Sequence, residues 1–174
     1  MMKKEYLDVV DENDEIIGMA SRKECHGSPK LKHRSVNVFV MNSLGDILLI
    51  KRANNLDTDP GKWSPAIGEH LKQSEDYETA ARRGLKEELG INKVKVNQVS
   101  KISFTNAFQS EFLVNFITIY DGATNADENE VESVRWVSIK NLKKEISNDS
   151  KKFISYIDYP MKHLTEYLKN KSEL

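Results

Sequence analysis

The stretch GEHLKQSEDYETAARRGLKEELGI, residues 68–91, decides the fold. Its middle part predicts a helix from Ser74 to Leu89. Ser74 is the expected N-cap, because its hydroxyl can accept a hydrogen bond from an unpaired N–H of the first turn. Gly90 is expected just past the helix end, since glycine readily takes the left-handed conformation found there. The pattern therefore predicts one helix with a marked start and a marked end.

The predicted helix has two different faces. Ala81, Leu85 and Leu89 recur at four-residue spacing, which is typical of a face that packs against a core. Glu87 and Glu88 lie near the C-terminal end, where the helix dipole disfavours negative charge. A bound cation would offset both that cost and the repulsion between the two carboxylates.

Gly84 lies three and four residues before this pair of carboxylates, so both acids project near a surface that the glycine leaves bare. Mg²⁺ prefers oxygen ligands and commonly bridges protein carboxylates to substrate phosphates. The spacing also fits an ordinary solvated face, with an exposed pair between Arg83 and Glu87 worth about 0.3–0.5 kcal/mol. Spacing by itself favours the solvated face.

The bulk composition limits the class of protein. At 174 residues the chain is expected to form a single domain, residues 1–174, with one substantial core. The charged fraction is 30% but the formal net charge is −1, so we expect neither nucleic acid nor an anionic membrane as a partner. Cys25 is the single cysteine, and the N-terminal MMKKEYLDVV has no long apolar segment or cleavage site. These features predict a cytoplasmic protein.

The segments around the helix show both strand and helix signals. Two hairpins are predicted, one at about 4–22 from EYLDVV and EIIGMA, the other from SVNVFVMN and DILLIKR. Further strand patterns occur in AIGEHL, KVKVNQVSKISF, EFLVNFITIY and VESVRWVSI. IKNLKKEI predicts a helix, and a C-terminal helical segment at about 147–170 is expected to break or kink at Pro160. We therefore predict an α+β (mixed α/β) domain in which helices cover a sheet.

Residues 69–91 resemble the Nudix box. The box pattern is glycine, five residues, Glu, seven residues, Arg-Glu, an aliphatic residue, any residue, Glu-Glu, any residue, glycine and an aliphatic residue. The positions that match in unbroken register are Glu75, Arg83, Leu85, Glu87, Glu88, Gly90 and Ile91. The resemblance extends over about residues 4–145 and implies an α/β/α sandwich with a mixed sheet, in which one catalytic helix at 75–89 follows a loop. It also implies a divalent cation, Mg²⁺ with Mn²⁺ as an alternative, held by Glu87 and Glu88, with Arg83 orienting the carboxylates.

Two positions of the box depart from the pattern. Glu69 stands at the opening glycine, and Gly84 stands where the pattern has the Glu of Arg-Glu. In Nudix hydrolases that helix glutamate is one of three that gather the metal. We therefore hypothesise that Glu69 returns a carboxylate to the site from the adjoining loop.

A second resemblance, within the same superfamily, is to isopentenyl-diphosphate isomerase. It rests on the N-terminal LDVVDENDEIIGMASR and on His26, His33, Arg52, Trp63 and His70. In that family three histidines and two glutamates bind a metal, so the resemblance implies a second metal site formed by the three histidines and Glu111. Gln109 occupies the other glutamate position.

The catalytic cysteine of the isomerases has no counterpart in this sequence. Its position holds Gly68, and Cys25, which is next to His26, is not assumed to replace it. The missing thiol counts against isomerisation.

These features predict a Mg²⁺-dependent hydrolase that cleaves a diphosphate linkage in a nucleoside-diphosphate derivative or a related phosphorylated metabolite. Glu69 and Glu111 are the expected places for a general base. Arg52 is expected to bind the diphosphate, because its planar fork can donate two hydrogen bonds to phosphate oxygens. The alternatives are an isomerase-like enzyme and a ligand-binding or regulatory module, which Gly84 favours. The expected partner is a small-molecule diphosphate, and the chain is expected to be a monomer or a homodimer.

Overall fold

The computed structural model describes residues 5–65 and 67–172. The chain begins with strands β1 (Tyr6–Val10) and β2 (Ile16–Ser21), which pair antiparallel as the predicted N-terminal hairpin. The predicted start of this hairpin, residue 4, lies outside the described residues. The helices are α1 (Arg22–Cys25), α2 (Tyr77–Leu89), α3 (Ile139–Asn148) and α4 (Asp158–Ser172).

Seven strands form the main sheet within the described ranges. They are β3 (Lys32–Met41), β4 (Asp46–Arg52), β5 (Trp63–Ser64), β6 (Ile67–His70), β7 (Asn97–Thr105), β8 (Ser110–Ile119) and β9 (Val131–Ser138). The order is β5-β4-β3-β8-β7, with β6 paired to β3 and β9 paired to β4. Strands β3 and β8 run parallel over their whole length while the other pairs are antiparallel, so the sheet is mixed, as predicted.

Both faces of the sheet are covered, because alternate residues of β3 point to opposite sides and are apolar on each side. Val36, Val38 and Val40 pack in the core that includes α2. Phe39 and Met41 pack in the core that includes residues of α3 and α4. Helices therefore lie on both faces of the sheet, and the predicted α/β/α sandwich is confirmed.

Helix α2 starts later than predicted. Its N-cap is Asp76, whose side chain accepts from the Thr79 N–H at 2.9 Å, so the helix begins at Tyr77 and not at Ser74 or residue 75. Ser74 is excluded from the helix because its backbone N–H donates to Asp8 of β1 and its φ is 59°. The C-terminal end is as predicted, with Gly90 at φ 67° in the left-handed region.

The C-terminal segment is not one helical stretch over 147–170. Helix α3 ends at Asn148, a single 3-10 turn follows at Ser150–Lys152, and α4 begins only at Asp158. The predicted break at Pro160 is wrong, because Pro160 lies in the first turn of α4, where a missing N–H costs no helical hydrogen bond. In the described ranges no helix is long and apolar enough to cross a bilayer.

Candidate functional site

Three histidines converge at one side of β6. His26 follows α1, His33 lies near the start of β3, and His70 ends β6. The Nε2 atoms of His26 and His70 are 3.0 Å apart, and one nitrogen from each of the three rings lies within 4.8 Å of the others. In the part of the chain that the structure describes, no other group of three or more His, Cys, Asp or Glu side chains converges in this way.

The histidines are in the chemical form that binds metals. Burial holds the pKa of all three rings below the ordinary value, and it lowers the pKa of His33 to about 4. Both ring nitrogens of His33 are buried and make no hydrogen bond to any described residue. Neutral imidazoles with unpaired nitrogens are metal ligands, and an unpaired buried polar atom is costly unless something binds it.

Glu111 adds an oxygen to this group. The parallel register of β3 and β8 sets Glu111 beside His33, with its Oε2 atom 3.7 Å from His33 Nε2. The Ser35 hydroxyl donates to the same oxygen at 2.6 Å. Burial raises the pKa of Glu111. Gln109, at the other glutamate position of the isomerase pattern, lies in the turn before β8. A set of three imidazoles and one carboxylate fits a transition metal such as Zn²⁺ or Mn²⁺.

The second group of site residues surrounds Arg83 on α2. Its Nε and Nη2 atoms each donate to Glu75 at 3.0 Å. Its Nη1 atom donates to Glu69 at 2.9 Å and to Glu87 at 3.1 Å, and Nη2 also donates to the backbone carbonyl of His70 at 2.8 Å. Arg83 therefore contacts three carboxylates and joins α2 to β6.

The carboxylates of this second group repel one another. The pKa of Glu88 is raised well above its ordinary value by burial and then by the nearby charges of Glu69 and Glu130. The pKa of Glu69 is also raised, chiefly by burial, although Arg83 donates to it. An oxygen-only group with excess negative charge fits Mg²⁺, which takes carboxylate oxygens and completes its shell with water or phosphate.

Arg52 ends β4 near this carboxylate group. Its Nε and Nη2 atoms donate to the backbone carbonyl and the hydroxyl of Thr58 at 3.1 and 3.2 Å. Its positive charge acts to lower the pKa of Glu88 and of Glu130.

Sequence reasoning missed two residues near the site. Ser35 could have been found, because it lies two residues after His33 on the same face of a strand. Glu130 precedes β9 in a polar loop, and its backbone carbonyl accepts from Ala53 just after β4. Nothing in the sequence indicated that the charge of Glu130 would act on the pKa of Glu88.

Residue 68, the position of the isomerase cysteine, has space for a side chain. A Cβ built on Gly68 would lie 3.4 Å from Asn37 Oδ1, an ordinary contact, and no thiol is nearby. Cys25 is fully buried and packs with Leu7 and Val9 of β1, in the small core of the hairpin. Cys25 therefore does not take the place of a thiol at residue 68.

The sequence model described as NUDIX domain matches residues 31–157. An isopentenyl-diphosphate Delta-isomerase 1 from Aromatoleum aromaticum is 34% identical over 143 residues, which is 80% of each chain. An uncharacterized Nudix hydrolase from Yersinia pestis is 29% identical over 133 residues, 76% of this chain and 72% of the relative. The crystal structure of a Deinococcus radiodurans protein superposes with a TM-score of 0.74 at 24% identity and covers 87% of this chain and 94% of its own.

Proposed function

The chain belongs to the Nudix family, and we propose that it hydrolyses a diphosphate linkage in a nucleoside-diphosphate derivative or a related phosphorylated metabolite, with Mg²⁺ or Mn²⁺. The observation that carries the proposal is the carboxylate group around Arg83, to which Glu69, Glu87 and Glu88 belong. The mutual repulsion of these carboxylates is a cost that a divalent cation would relieve.

Each residue of this group has a role in the proposed reaction. Glu87 and Glu88 would hold the cation, and Arg83 keeps Glu87 in place by donating to it at 3.1 Å. The bound cation would supply Lewis-acid activation of the phosphate and of the attacking water. Arg52 would donate to diphosphate oxygens through the N–H groups that its contacts with Thr58 leave over.

Glu111, which lies beside His33 on the other face of β6, is the proposed acid–base group for a substrate bound on that face. Its pKa is raised by burial, so it can accept a proton near neutral pH more readily than an ordinary carboxylate. The hydroxyl of Ser35 donates to its Oε2 atom at 2.6 Å and fixes the orientation of the carboxylate. The histidine cluster would bind a second metal ion beside it.

Isomerisation of isopentenyl diphosphate is the second candidate function. The cluster of three histidines beside Glu111 favours it, and so does the 34% identity to an isopentenyl-diphosphate Delta-isomerase. Gly68 disfavours it, because this position offers no thiol for proton transfer to or from carbon. The ligand-binding or regulatory module is the weaker alternative, since a carboxylate group of this kind persists around Arg83.

The test is a panel of substrates incubated with the protein and Mg²⁺ or Mn²⁺. The panel contains nucleoside diphosphates, sugar nucleotides and isopentenyl diphosphate, and the products are followed by ³¹P and ¹H NMR. We expect release of phosphate or a monophosphate from at least one compound, and loss of release in Glu88→Gln. Glu78→Gln is the matched control, because Glu78 lies on the same helix but pairs only with the exposed Arg82 among the contacts described.

Double-bond migration without phosphate release would replace hydrolysis by isomerisation. Tight binding of a panel compound without turnover would favour the binding module. Equal turnover in the wild type and in Glu88→Gln would show that α2 does not carry the reaction.

A further inference from the structure

Gly84 is a buried helix residue whose side-chain space is already occupied. A Cβ built on Gly84 would lie 2.7 Å from Glu69 Cγ and 3.1 Å from Ile67 Cδ1. Real Cβ atoms essentially never approach another heavy atom to 2.7 Å, so a side chain at residue 84 and the present position of Glu69 exclude each other. The glycine and the glutamate are thus a sterically coupled pair.

The side chain that fills this space comes from β6 and not from α2. Residue 69 pairs with Val36 of β3, which fixes its backbone in the sheet below the helix. Ile67 lies two residues earlier, faces the core with α2, and so places Glu69 on the same face. Glu69 therefore reaches up over Gly84 from the strand.

The carboxylate of Glu69 ends among the helix carboxylates. Its Oε2 atom accepts from Arg83 Nη1 at 2.9 Å, and the same nitrogen donates to Glu87 Oε2 at 3.1 Å. One nitrogen of Arg83 therefore holds a carboxylate oxygen of Glu69 and a carboxylate oxygen of Glu87. The strand residue thus joins the group that a helix residue at position 84 would have joined.

We propose that Glu69 and Gly84 are an exchanged pair, in which Glu69 supplies from β6 the third carboxylate of the metal site. In the box pattern this carboxylate stands at residue 84 of the helix. The proposal rests on the proposed metal site at Glu87 and Glu88, but not on any particular substrate. In this proposal Glu69 binds the metal, and Gly84 leaves the space that the Glu69 side chain occupies.

A competing explanation is that Glu69 only compensates the charge of Arg83. Glu75 provides the control, because it also accepts hydrogen bonds from Arg83, at 3.0 Å, and is even more buried than Glu69. Glu75 lies outside the space over Gly84. If compensation of Arg83 were the whole role of Glu69, neutralising either glutamate would have the same effect on metal binding.

The experiment restores the order of residues found in the box pattern. Glu69→Gly, Gly84→Glu and the double variant are made in a His26→Asn/His70→Asn background, so that Mn²⁺ does not bind the histidine cluster. Mn²⁺ affinity is measured by electron paramagnetic resonance, and the melting temperature is measured without metal. We expect Glu69→Gly to lose at least about tenfold in Mn²⁺ affinity. We expect Gly84→Glu to melt at a lower temperature, because its new side chain meets Glu69.

The double variant decides the proposal. We expect it to bind Mn²⁺ within about threefold of the background protein and to regain the melting temperature that Gly84→Glu loses. An affinity no better than that of Glu69→Gly would overturn the exchange. Glu69→Gln and Glu75→Gln give a second test that preserves side-chain size, and an equal loss of Mn²⁺ affinity in the two would also overturn it.

These outcomes are separable from those of the proposed function. If no panel compound is hydrolysed but the double variant regains Mn²⁺ affinity, the exchange holds and hydrolysis does not. If a compound is hydrolysed but Glu69→Gln and Glu75→Gln lose equal Mn²⁺ affinity, hydrolysis holds and the exchange does not.

Discussion

The histidine cluster and the carboxylate group are two sets of candidate metal ligands that meet on one strand. Neighbouring residues of β6 point to opposite faces, so His70 contributes to the first set and Glu69 to the second. The first set holds neutral nitrogens that converge, with both nitrogens of His33 left unpaired by the described residues. The second set holds charged oxygens that Arg83 already pairs.

This difference indicates how each set responds to a metal. The histidines are neutral and already converge, so a transition metal would replace the 3.0 Å contact between His26 and His70 and would bind the unpaired nitrogens of His33. The carboxylates already pair with Arg83, so a hard cation would compete with Arg83 for their oxygens. Phosphate oxygens of a bound substrate would supply further ligands and strengthen the binding of that cation. We therefore expect a tight metal site at the histidines on one face of β6, and a metal site at the carboxylates on the other face that depends on bound substrate.

The largest effect is expected from removing the arginine that compensates the carboxylates. Arg83→Ala leaves the largely buried Glu75 and Glu69 without their cationic partner, so we expect a loss of about 3–5 kcal/mol in the free energy of unfolding. Urea denaturation measures it. Arg82→Ala is the matched control, because Arg82 forms an exposed pair with Glu78 and should lose no more than about 0.5 kcal/mol. Similar losses in the two variants would contradict the compensated state of the carboxylate group.

The next effect concerns the tight site. His70→Asn should lower the affinity for Co²⁺ by more than about 100-fold, since even a residue that only orients a metal ligand is worth roughly 10- to 100-fold. The titration is followed by the visible absorption of bound Co²⁺. Glu87→Gln should change this affinity by less than about threefold, because Glu87 belongs to the other set. If both variants weaken Co²⁺ binding equally, the two sets are one site.

A third effect tests how the hairpin that precedes His26 is held. Asp14 accepts from Arg34 at 2.6 Å, from Tyr77 at 2.8 Å and from Lys101 at 2.5 Å, so it fastens the hairpin turn to β3, α2 and β7. Asp14→Asn should lose about 2 kcal/mol, because asparagine keeps the left-handed backbone (φ 68°) but not the charge. The measurement is urea denaturation at pH 7.

The loss of stability in Asp14→Asn should also depend on pH, and the direction follows from the pKa of Asp14. Burial acts to raise the pKa of Asp14, but hydrogen bonds from Lys101, Arg34 and Tyr77 outweigh it and hold the pKa below 3.8. The charged carboxylate therefore adds stability that is fully present above pH 3.8 and is lost as the pH falls through the lower folded-state pKa. The gap between wild type and Asp14→Asn should shrink below that pH. A gap that stays constant would contradict the network.

The smallest effects compare two glycines, one on each face. Gly68→Cys should be neutral or gain up to about 1 kcal/mol, because its Cβ makes only ordinary contacts, with Asn37 at 3.4 Å and with the Val36 carbonyl at 4.0 Å, and because glycine weakens a strand. Gly84→Ala should lose stability although alanine favours helices, because its Cβ meets Glu69 at 2.7 Å. Chemical denaturation of both variants measures the contrast. A stabilised Gly84→Ala would show that the space above the helix is free.

The sequence predicted the sheet and the end of α2 because local patterns determine them. Gly90 ends the helix by its own conformational freedom, and alternating apolar residues set the faces of β3. The predicted start of α2 was wrong, because Ser74 and Asp76 are both residue types that favour N-cap positions. The backbone N–H of Ser74 donates to Asp8, which is distant in sequence, and Asp76 is therefore the N-cap. Pro160 was predicted to break a helix. It lies instead in the first turn of α4, and where that helix begins depends on how the preceding chain packs.

The site was predictable as a set of residues but not as an arrangement. The resemblance to the isomerases pointed to three histidines, but His33 and His70 come together only through the pairing of β3 with β6, and the pairing of β3 with β8 then adds Glu111. Glu130 carries no local signal, since its proximity to Glu88 arises only from the loop before β9. The departures at Glu69 and Gly84 were visible in the sequence, but only the structure relates them, because a Cβ on Gly84 would lie 2.7 Å from Glu69 Cγ.

The proposed hydrolysis requires the α2 carboxylates to direct water to a diphosphate. Its most direct test incubates the protein and Mg²⁺ with the substrate panel in ¹⁸O-labelled water and analyses the phosphate products by mass spectrometry. We expect one ¹⁸O atom in a phosphate product of the wild type, and almost none in Glu88→Gln. Unlabelled phosphate products, or a rearranged isopentenyl diphosphate without label, would contradict it.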